Sequence, residues 1–370
     1  MTQIDLAAAA QPTAFAELLE STLTPPQLVL YRGVLTPSEL DAPSAESAAL
    51  TTSAACHDLG WLRRIAVRGE DRFRWLSGMV TNTVHDLADN SGAWNLVLNA
   101  QGRIQGDLTV WREADTVELE IAADQVEPLL AHFDRFIIMD DVELVPLTTD
   151  AVLGLTGPTA DKVLSRVGLP TLSEPMTSTR VEWNGMDIRL VRGLGGLSHH
   201  YALWVPQAQL SKLWKYLRTG GAALVGSAAL EAFRIAEGTP LYATDIVERD
   251  LPQETSQLRA LHFSKGCYLG QEIVERIRSR GSVHRHLRQL ELEGPPPASG
   301  TELFLDSPQS QQPAKPVGHI TSAAVLLSAG RTFALAMLRA EAEIGIQAFT
   351  YSNGTAAGTA RLLAAPPSFA

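Results

Sequence analysis

Cysteine is nearly absent from this 370-residue chain, which has only Cys56 and Cys267. Two distant thiols cannot build a cysteine-ligated zinc finger or a self-contained four-cysteine cluster. A reducing compartment disfavours a disulfide between them. Positive charge is also scarce: 30 Lys and Arg against 41 Asp and Glu give a formal net charge of −11. That balance argues against nucleic acid as a main partner, because phosphate binding draws on clustered cations. No apolar run approaches the roughly 20 residues of a membrane helix. The start, Met1-Thr2-Gln3-Ile4-Asp5, has neither the basic opening of a secretory signal nor an Arg-rich transit character. A cytoplasmic location with no membrane partner is the expectation. No lysine-bearing phosphate loop and no Gly-x-Ser-x-Gly elbow occur. Gly193-Leu194-Gly195-Gly196 lacks the spacing and following helix of a dinucleotide fingerprint and reads as a hairpin loop. His199-His200 has no carboxylate or cysteine at ligand spacing, so no metal site is expected.

What is present fits a globular chain of two or three domains, 45% hydrophobic and 19% charged. Residues 1–50, rich in Ala, Pro, Ser and Thr, read as a weakly structured lead-in with a helical patch at Phe15–Leu19. From Leu62 onward strand, turn and helix signals alternate. Trp94–Leu98, a turn at Gln101-Gly102 and Ile104–Trp111 form a predicted β-hairpin, and Leu129, Leu130 and Phe133 have helical spacing. Leu153–Thr156, Gly157-Pro158 and Ala160–Val167 form a second strand–turn–helix unit. Beyond Gly281 short strands with turn signals predominate, and they predict a small β-barrel over residues 286–370. The predicted class is α+β, with a body over 51–285 divided near 150 and a barrel at the end.

Two places invite chemistry. Lys265-Gly266-Cys267-Tyr268-Leu269-Gly270-Gln271-Glu272 sets a thiol near a cation and before a helix, where a thiolate is stabilised. The same segment also reads as a helix entry whose cysteine fills space. Asp107 sits inside a predicted strand, where aspartate is disfavoured. It shares a face with Arg103, Gln105 and Trp111, opposite Ile104, Leu108 and Val110. A carboxylate beside an indole suits a flat, nitrogen-rich ligand, although from the residues alone a solvated strand face is the better account. Arg276, Arg278, Arg280, Arg285 and Arg288, interleaved with His284 and His286, form a basic patch for an anionic ligand tail or the favourable end of a helix.

From about Cys56 to the end, the chain resembles the family of the glycine-cleavage aminomethyltransferase (T-protein), and within it the YgfZ-type branch of folate-binding proteins. The resemblance rests on Val67-x-Gly69-x-Asp71, Trp75-Leu76, Thr81-Asn82-Thr83-Val84, Asn99-x-x-Gly102-Arg103 and Asp107-Leu108. It continues through Gly157-Pro158, Glu237-Gly238-Thr239-Pro240-Leu241-Tyr242, Asp245, Leu251-Pro252-Gln253-Glu254 and Gly318-x-Ile320-Thr321-Ser322. The segment at 265–272 with Arg276 selects the branch. The resemblance implies a cloverleaf of three subdomains around a hole that holds tetrahydrofolate, the barrel being one leaf. It implies a role in assembling or repairing iron–sulfur proteins, tRNA-modifying enzymes included, with cluster scaffolds or client proteins as partners. A folate-dependent one-carbon enzyme and a non-catalytic folate scaffold are the alternatives. It also implies that Asp107 faces the reactive folate nitrogens, with Lys265 and Cys267 as functional residues and Cys267 open to service as a shared-cluster ligand. Arg103, Trp111, Tyr242 and Arg276 are implied to contact the cofactor. One departure stands out. The transferases have an Arg-x-Gly-Tyr-x-Gly-Glu segment whose glutamate recognises the pterin, whereas this chain has Arg192-Gly193-Leu194-Gly195-Gly196-Leu197-Ser198-His199. Ser198 and His199 are the side chains available there as substitutes.

Overall fold

The computed structural model describes residues 10–22, 25–305, 315–344, 348–352, 354 and 356–369. Its centre is an eleven-stranded sheet. From one edge to the other the strands are Ala223–Val225, Ala55–Asp58, Asp150–Thr156, His200–Pro206, Met186–Arg192, Thr177–Trp183, Ser91–Leu98, Ile104–Glu113, Thr116–Ala122, Leu62–Arg68 and Glu143–Leu147. Every pairing is antiparallel except the first, where Ala223–Val225 runs parallel to Ala55–Asp58. The alternation that predicts the hairpin is visible in its burial. Ile104, Leu108 and Val110 are inside, and Leu96 stands opposite Asp107 in register.

The two largest apolar cores among the described residues flank the sheet. One gathers Ile65, Leu76, Val97, Leu108, Leu119 and Phe133 under the helices Arg72–Met79 and Ala123–Asp134. The other gathers Leu153, Leu164, Ile188, Leu203, Leu213 and Leu217 under Ala160–Arg166 and Leu210–Thr219. Within the lead-in expected over 1–50, the described residues form a helix Ala14–Thr22, a hairpin Leu28–Tyr31/Val34–Pro37 and a helix Pro43–Thr52. Its composition is poor in strong formers, yet Phe15 and Leu19 are fully buried in the second core and supply the stability that propensity lacks. The expectation for residues 1–9 falls outside the described residues.

The barrel closes with six strands: Arg285–Glu293, Arg331–Arg339, Gly318–Leu326, Glu302–Leu305, Ala348–Ser352 and Ala357–Leu362, the last pairing back onto the first. Most of the polar loop expected over 306–316 lies outside the described residues. Asp245 joins barrel to body. A register shift between Ile320 and Ser322 lets the Thr321 and Ser322 hydroxyls both donate to its Oδ1, each at 2.6 Å, while Arg234 donates to Oδ2 at 2.7 Å. Two of the motifs singled out in the sequence therefore meet at one buried carboxylate. Across the middle of the sheet, Glu113 pairs with Arg180 and with the buried Arg189, and Arg64 pairs with Glu118 at 2.6 Å and Asp150 at 2.9 Å.

Candidate functional site

A cavity of about 320 Å³ opens between the two halves of the sheet, the hairpin at 28–37 and the helix Ser227–Glu237. Trp61, Trp94, Trp111, Tyr31 and Phe233 supply an aromatic wall. Asp107 stands on it and is held from two sides. The indole N–H of Trp94 donates to Oδ2 at 2.9 Å, and the Gln125 amide donates to Oδ1 at 2.8 Å. The Asp107 backbone N–H donates to Gln125 Oε1 at 2.9 Å, which fixes which way that amide faces. Trp94 is opposite Thr109 in register, so the pleat sets its indole diagonally from Asp107 on one face. Gln125 comes from the first turn of the helix Ala123–Asp134. The guanidinium of Arg259 covers the other side of Trp94, 5.3 Å from its ring centre.

Deeper in the same cavity lies Glu120, with a buried Oε2 that has no hydrogen-bond partner. Burial pushes its carboxyl up, against the pull of Arg189 and Arg64. The indoles of Trp111 and Trp204 face it, yet neither N–H closes a hydrogen bond. On the opposite wall Glu237 accepts from the backbone N–H groups of Gly196 and Leu197 at 3.0 and 2.9 Å, and His200 Nε2 lies 2.9 Å from it. Burial opposes the Glu237 charge, but His200 and these donors outweigh it and hold the carboxyl below its usual range.

The octapeptide lies elsewhere. Its Leu269 N–H donates to Gly78 O, and Gly270 (φ +81°) nests against Gly102 (φ +70°) in the hairpin turn, which Asn99 Oδ1 fixes by accepting from Gln101 and Arg103. A Cβ on Gly270 would come within 2.6 Å of Asn99 O, so this contact requires glycine. Lys265 Nζ donates to the Val80 and Asn82 carbonyls at 2.7 and 2.6 Å, and burial pushes its pKa down to about 7. Cys267 is exposed, whereas Cys56 is buried with its thiol pushed up to about 12 by burial.

Residues 8–265 match the family of the GCVT N-terminal domain. The chain belongs to that family. An aminomethyltransferase from Rubrobacter xylanophilus is 28% identical over 334 residues, covering 87% of this chain and 86% of that protein. A chloroplastic putative transferase from Arabidopsis thaliana is 26% identical over 276 residues, 72% of this chain and 60% of that protein. Among solved structures, the glycine cleavage system aminomethyltransferase T from Bartonella henselae superposes with a TM-score of 0.81 at 19% identity, over 94% of this chain and 95% of that one. The fold is that of the family, mixed α and β with a closed barrel at the C-terminal end.

Within this GCVT-domain protein the predicted site residues divide into separate places. Asp107 and Trp111 share the cavity. Tyr242 lines an adjoining one, which has Tyr31, Arg32 and Leu241 in common with the first. Arg103 faces the turn and donates to the Arg249 carbonyl at 2.5 Å, and Arg276 is exposed on the helix Gln271–Arg280. Neither Lys265 nor Cys267 lines the Asp107 cavity; the segment docks on the outside of the hairpin turn. The basic patch is also broken up, because Arg285 pairs with Asp250 and Glu254, and Arg288 with Glu343. At the departed loop, His199 pairs with Asp161, and Ser198 is not on the cavity wall. The carboxylate there is Glu237, which sequence reading missed as a site residue although it opens a quoted motif. Glu120 was missed too. Its only signal is the alternation Glu118-x-Glu120 in a strand, which reads as a solvated face until the fold buries it.

Proposed function

We propose that this protein binds tetrahydrofolate in the aromatic cavity and acts on its one-carbon unit, as a folate-dependent enzyme of the aminomethyltransferase type. Tetrahydrofolate is the cofactor of that family. The observation that carries the reading is Asp107, a carboxylate with a donor fixed on each oxygen, set among indoles on a cavity wall. The residues fit the group. A pterin is flat and carries N–H donors beside a carbonyl, and the wall offers aromatic faces with partnerless polar atoms at Glu120 Oε2 and Trp111 Nε1.

When bound, tetrahydrofolate supplies the nitrogens that carry the one-carbon unit. The chain's own part is positional and electrostatic. Trp94 and Gln125 fix the Asp107 carboxylate in one orientation, so it stabilises positive charge or an N–H at a defined point without reorganising. The tryptophans exclude water and strengthen that interaction. Glu120 and Glu237 place further acceptors on the wall. The test pairs calorimetric titration of tetrahydrofolate with a turnover assay on methylated amines. Binding together with one-carbon release is expected. Folded protein that binds tetrahydrofolate and turns over none of these amines would remove the enzymatic reading.

A second reading has its own observation. Cys267 is exposed two residues from a lysine whose ammonium is destabilised by burial, outside the cavity and accessible to a partner. This suits the YgfZ-type role in iron–sulfur assembly or repair, with a scaffold or client protein supplying the other ligands, since one thiol cannot hold a cluster. Cys267→Ala is expected to abolish rescue of iron–sulfur enzyme activity in a deletion strain, and full rescue by the variant would end that reading.

A further inference from the structure

Four side chains on the cavity wall form one unbroken hydrogen-bonded chain, of which the folate reading uses Glu237 alone. His57 Nε2 lies 3.0 Å from Thr156 Oγ1, Thr156 Oγ1 lies 3.2 Å from His200 Nδ1, and His200 Nε2 lies 2.9 Å from Glu237 Oε1. All four line the cavity. Three adjacent strands place them, with Thr156 opposite His200 and His57 opposite Gly154 in register, and Glu237 closes the helix Ser227–Glu237. The far end is buried and unpartnered. His57 is 3% exposed, and its Nδ1 has the Asp58 peptide group nearby but no hydrogen-bond partner. Gly154 makes room for the ring, since a Cβ there would lie 1.9 Å from His57 Cε1.

A hydroxyl carries one proton, so Thr156 can donate to only one of its two histidines at a time. Two arrangements satisfy the chain. With His200 an imidazolium, its Nδ1–H donates to Thr156, the hydroxyl donates to His57 Nε2, and His57 carries its proton on Nδ1. With His200 neutral and its Nε2–H on Glu237, His200 Nδ1 accepts from Thr156, Thr156 accepts from His57 Nε2–H, and His57 Nδ1 is a free lone pair. The two differ by one proton, which enters at His57 and appears as charge on His200.

We propose that His57, Thr156, His200 and Glu237 form a proton relay that removes a proton from the ligand in this cavity. An N–H or O–H bond of the ligand breaks and its electron pair stays on the ligand, while a new N–H forms at His57 Nδ1. The His57 Nε2 proton passes to Thr156, the hydroxyl proton passes to His200 Nδ1, and the positive charge rests beside Glu237. Nothing is oxidised or reduced. The surroundings support this direction of flow. Burial and the nearby His200 push His57 down to about 3, so it passes a proton on rather than keeping it. Burial also opposes charge on His200, but Glu237 outweighs it and the pKa is raised. Arg259 is the cation that faces Glu237, and the ring of Phe233 lies 6.0 Å from that of His200.

The relay rests on the folate reading only for the identity of the ligand. Nitrogen-15 NMR of the histidine-labelled full chain, from about pH 5 to pH 8, tests it without ligand. The His57 tautomer is expected to invert at the midpoint of His200 while His57 never becomes an imidazolium. Thr156→Val is expected to abolish the inversion and leave His200 titrating. A single His57 tautomer throughout, a separate midpoint, or an inversion that survives Thr156→Val would overturn the relay. Tetrahydrofolate is then added to the wild type. Binding that leaves the His57 nitrogens unmoved would overturn its contact with the ligand. No binding at all would refute the folate reading instead, with the tautomer result still standing.

Discussion

Asp107→Asn keeps the shape of the side chain and changes the sign of one contact. Each carboxylate oxygen now accepts one hydrogen bond, from Trp94 at 2.9 Å and from Gln125 at 2.8 Å. An asparagine offers one acceptor and one NH₂ group, so one of these donors must face another donor. Gln125 cannot relieve the conflict by turning its amide, because its Oε1 already accepts the Asp107 backbone N–H at 2.9 Å. One charge-assisted bond is lost outright and the other is weakened, which costs about 1–3 kcal/mol at this half-buried position. For a chain of 370 residues that lowers the thermal midpoint by roughly 1–4 °C. The lost carboxylate lowers tetrahydrofolate affinity by about tenfold to a hundredfold, equivalent to about 1.4–2.8 kcal/mol. Scanning calorimetry and isothermal titration read the two effects on the same sample. A native midpoint together with an unchanged Kd would refute the assignment of Asp107 as a fixed, ligand-facing carboxylate.

Glu237→Gln breaks the His200 pair. His200, raised from 6.5, contributes stability that is full below that value and lost as pH rises through its folded pKa; Glu237, lowered from 4.5, contributes stability present above that value and lost as pH falls through its own. The stability difference from wild type, read by denaturant titration, should therefore peak between these values at about 2–3 kcal/mol; a difference that does not vary with pH would contradict the pairing. Gly154→Ala forces a methyl into His57 and should destabilise the fold by about 1–3 kcal/mol, with an undiminished unfolding midpoint as the contrary result. In the native protein a disulfide reagent should react quickly with Cys267 and not with Cys56 until unfolding, and rapid modification of both would contradict the buried position of Cys56.

Local order made much of the fold legible. The hairpin around Asp107 announces itself through period-two alternation and an aspartate out of place in a strand, and the barrel through closely spaced short strands. Both are properties of neighbouring residues. What stayed hidden depends on distant pairing. Phe15 and Leu19 find their partners in a core built mainly from residues 150–220, so the helix that carries them has little signal of its own. His200 and Glu237 meet across 37 residues, and no spacing rule marks them as a pair. Glu120 looks like surface until Trp111, Trp204 and two arginines close over it. Cys267 and Asp107 are the two reactive side chains the sequence offers, yet Gly270 and Gly102 dock the cysteine segment onto the turn, and Cys267 is not on the Asp107 cavity wall.

The eleven strands are continuous on paper, but the junction of the two halves rests on a single register pair, Thr177 with Ser91, whereas Thr177–Trp183 matches its other neighbour along its full length. Glu113, reaching across to Arg180 and Arg189, bears much of the remaining connection. The molecule therefore has a built-in seam where two flanking backbone hydrogen bonds, the cluster of Trp111, Val152, Val191 and Trp204, and these ion pairs replace a full strand ladder. Under a pulling force the sheet should part there first, each half keeping its own core. Because the exposed share of those ion pairs is screened by salt, the load at which the seam yields should fall as ionic strength rises. An identical rupture force in dilute and concentrated salt would show that backbone bonds and apolar packing, and not the charges, carry the tension.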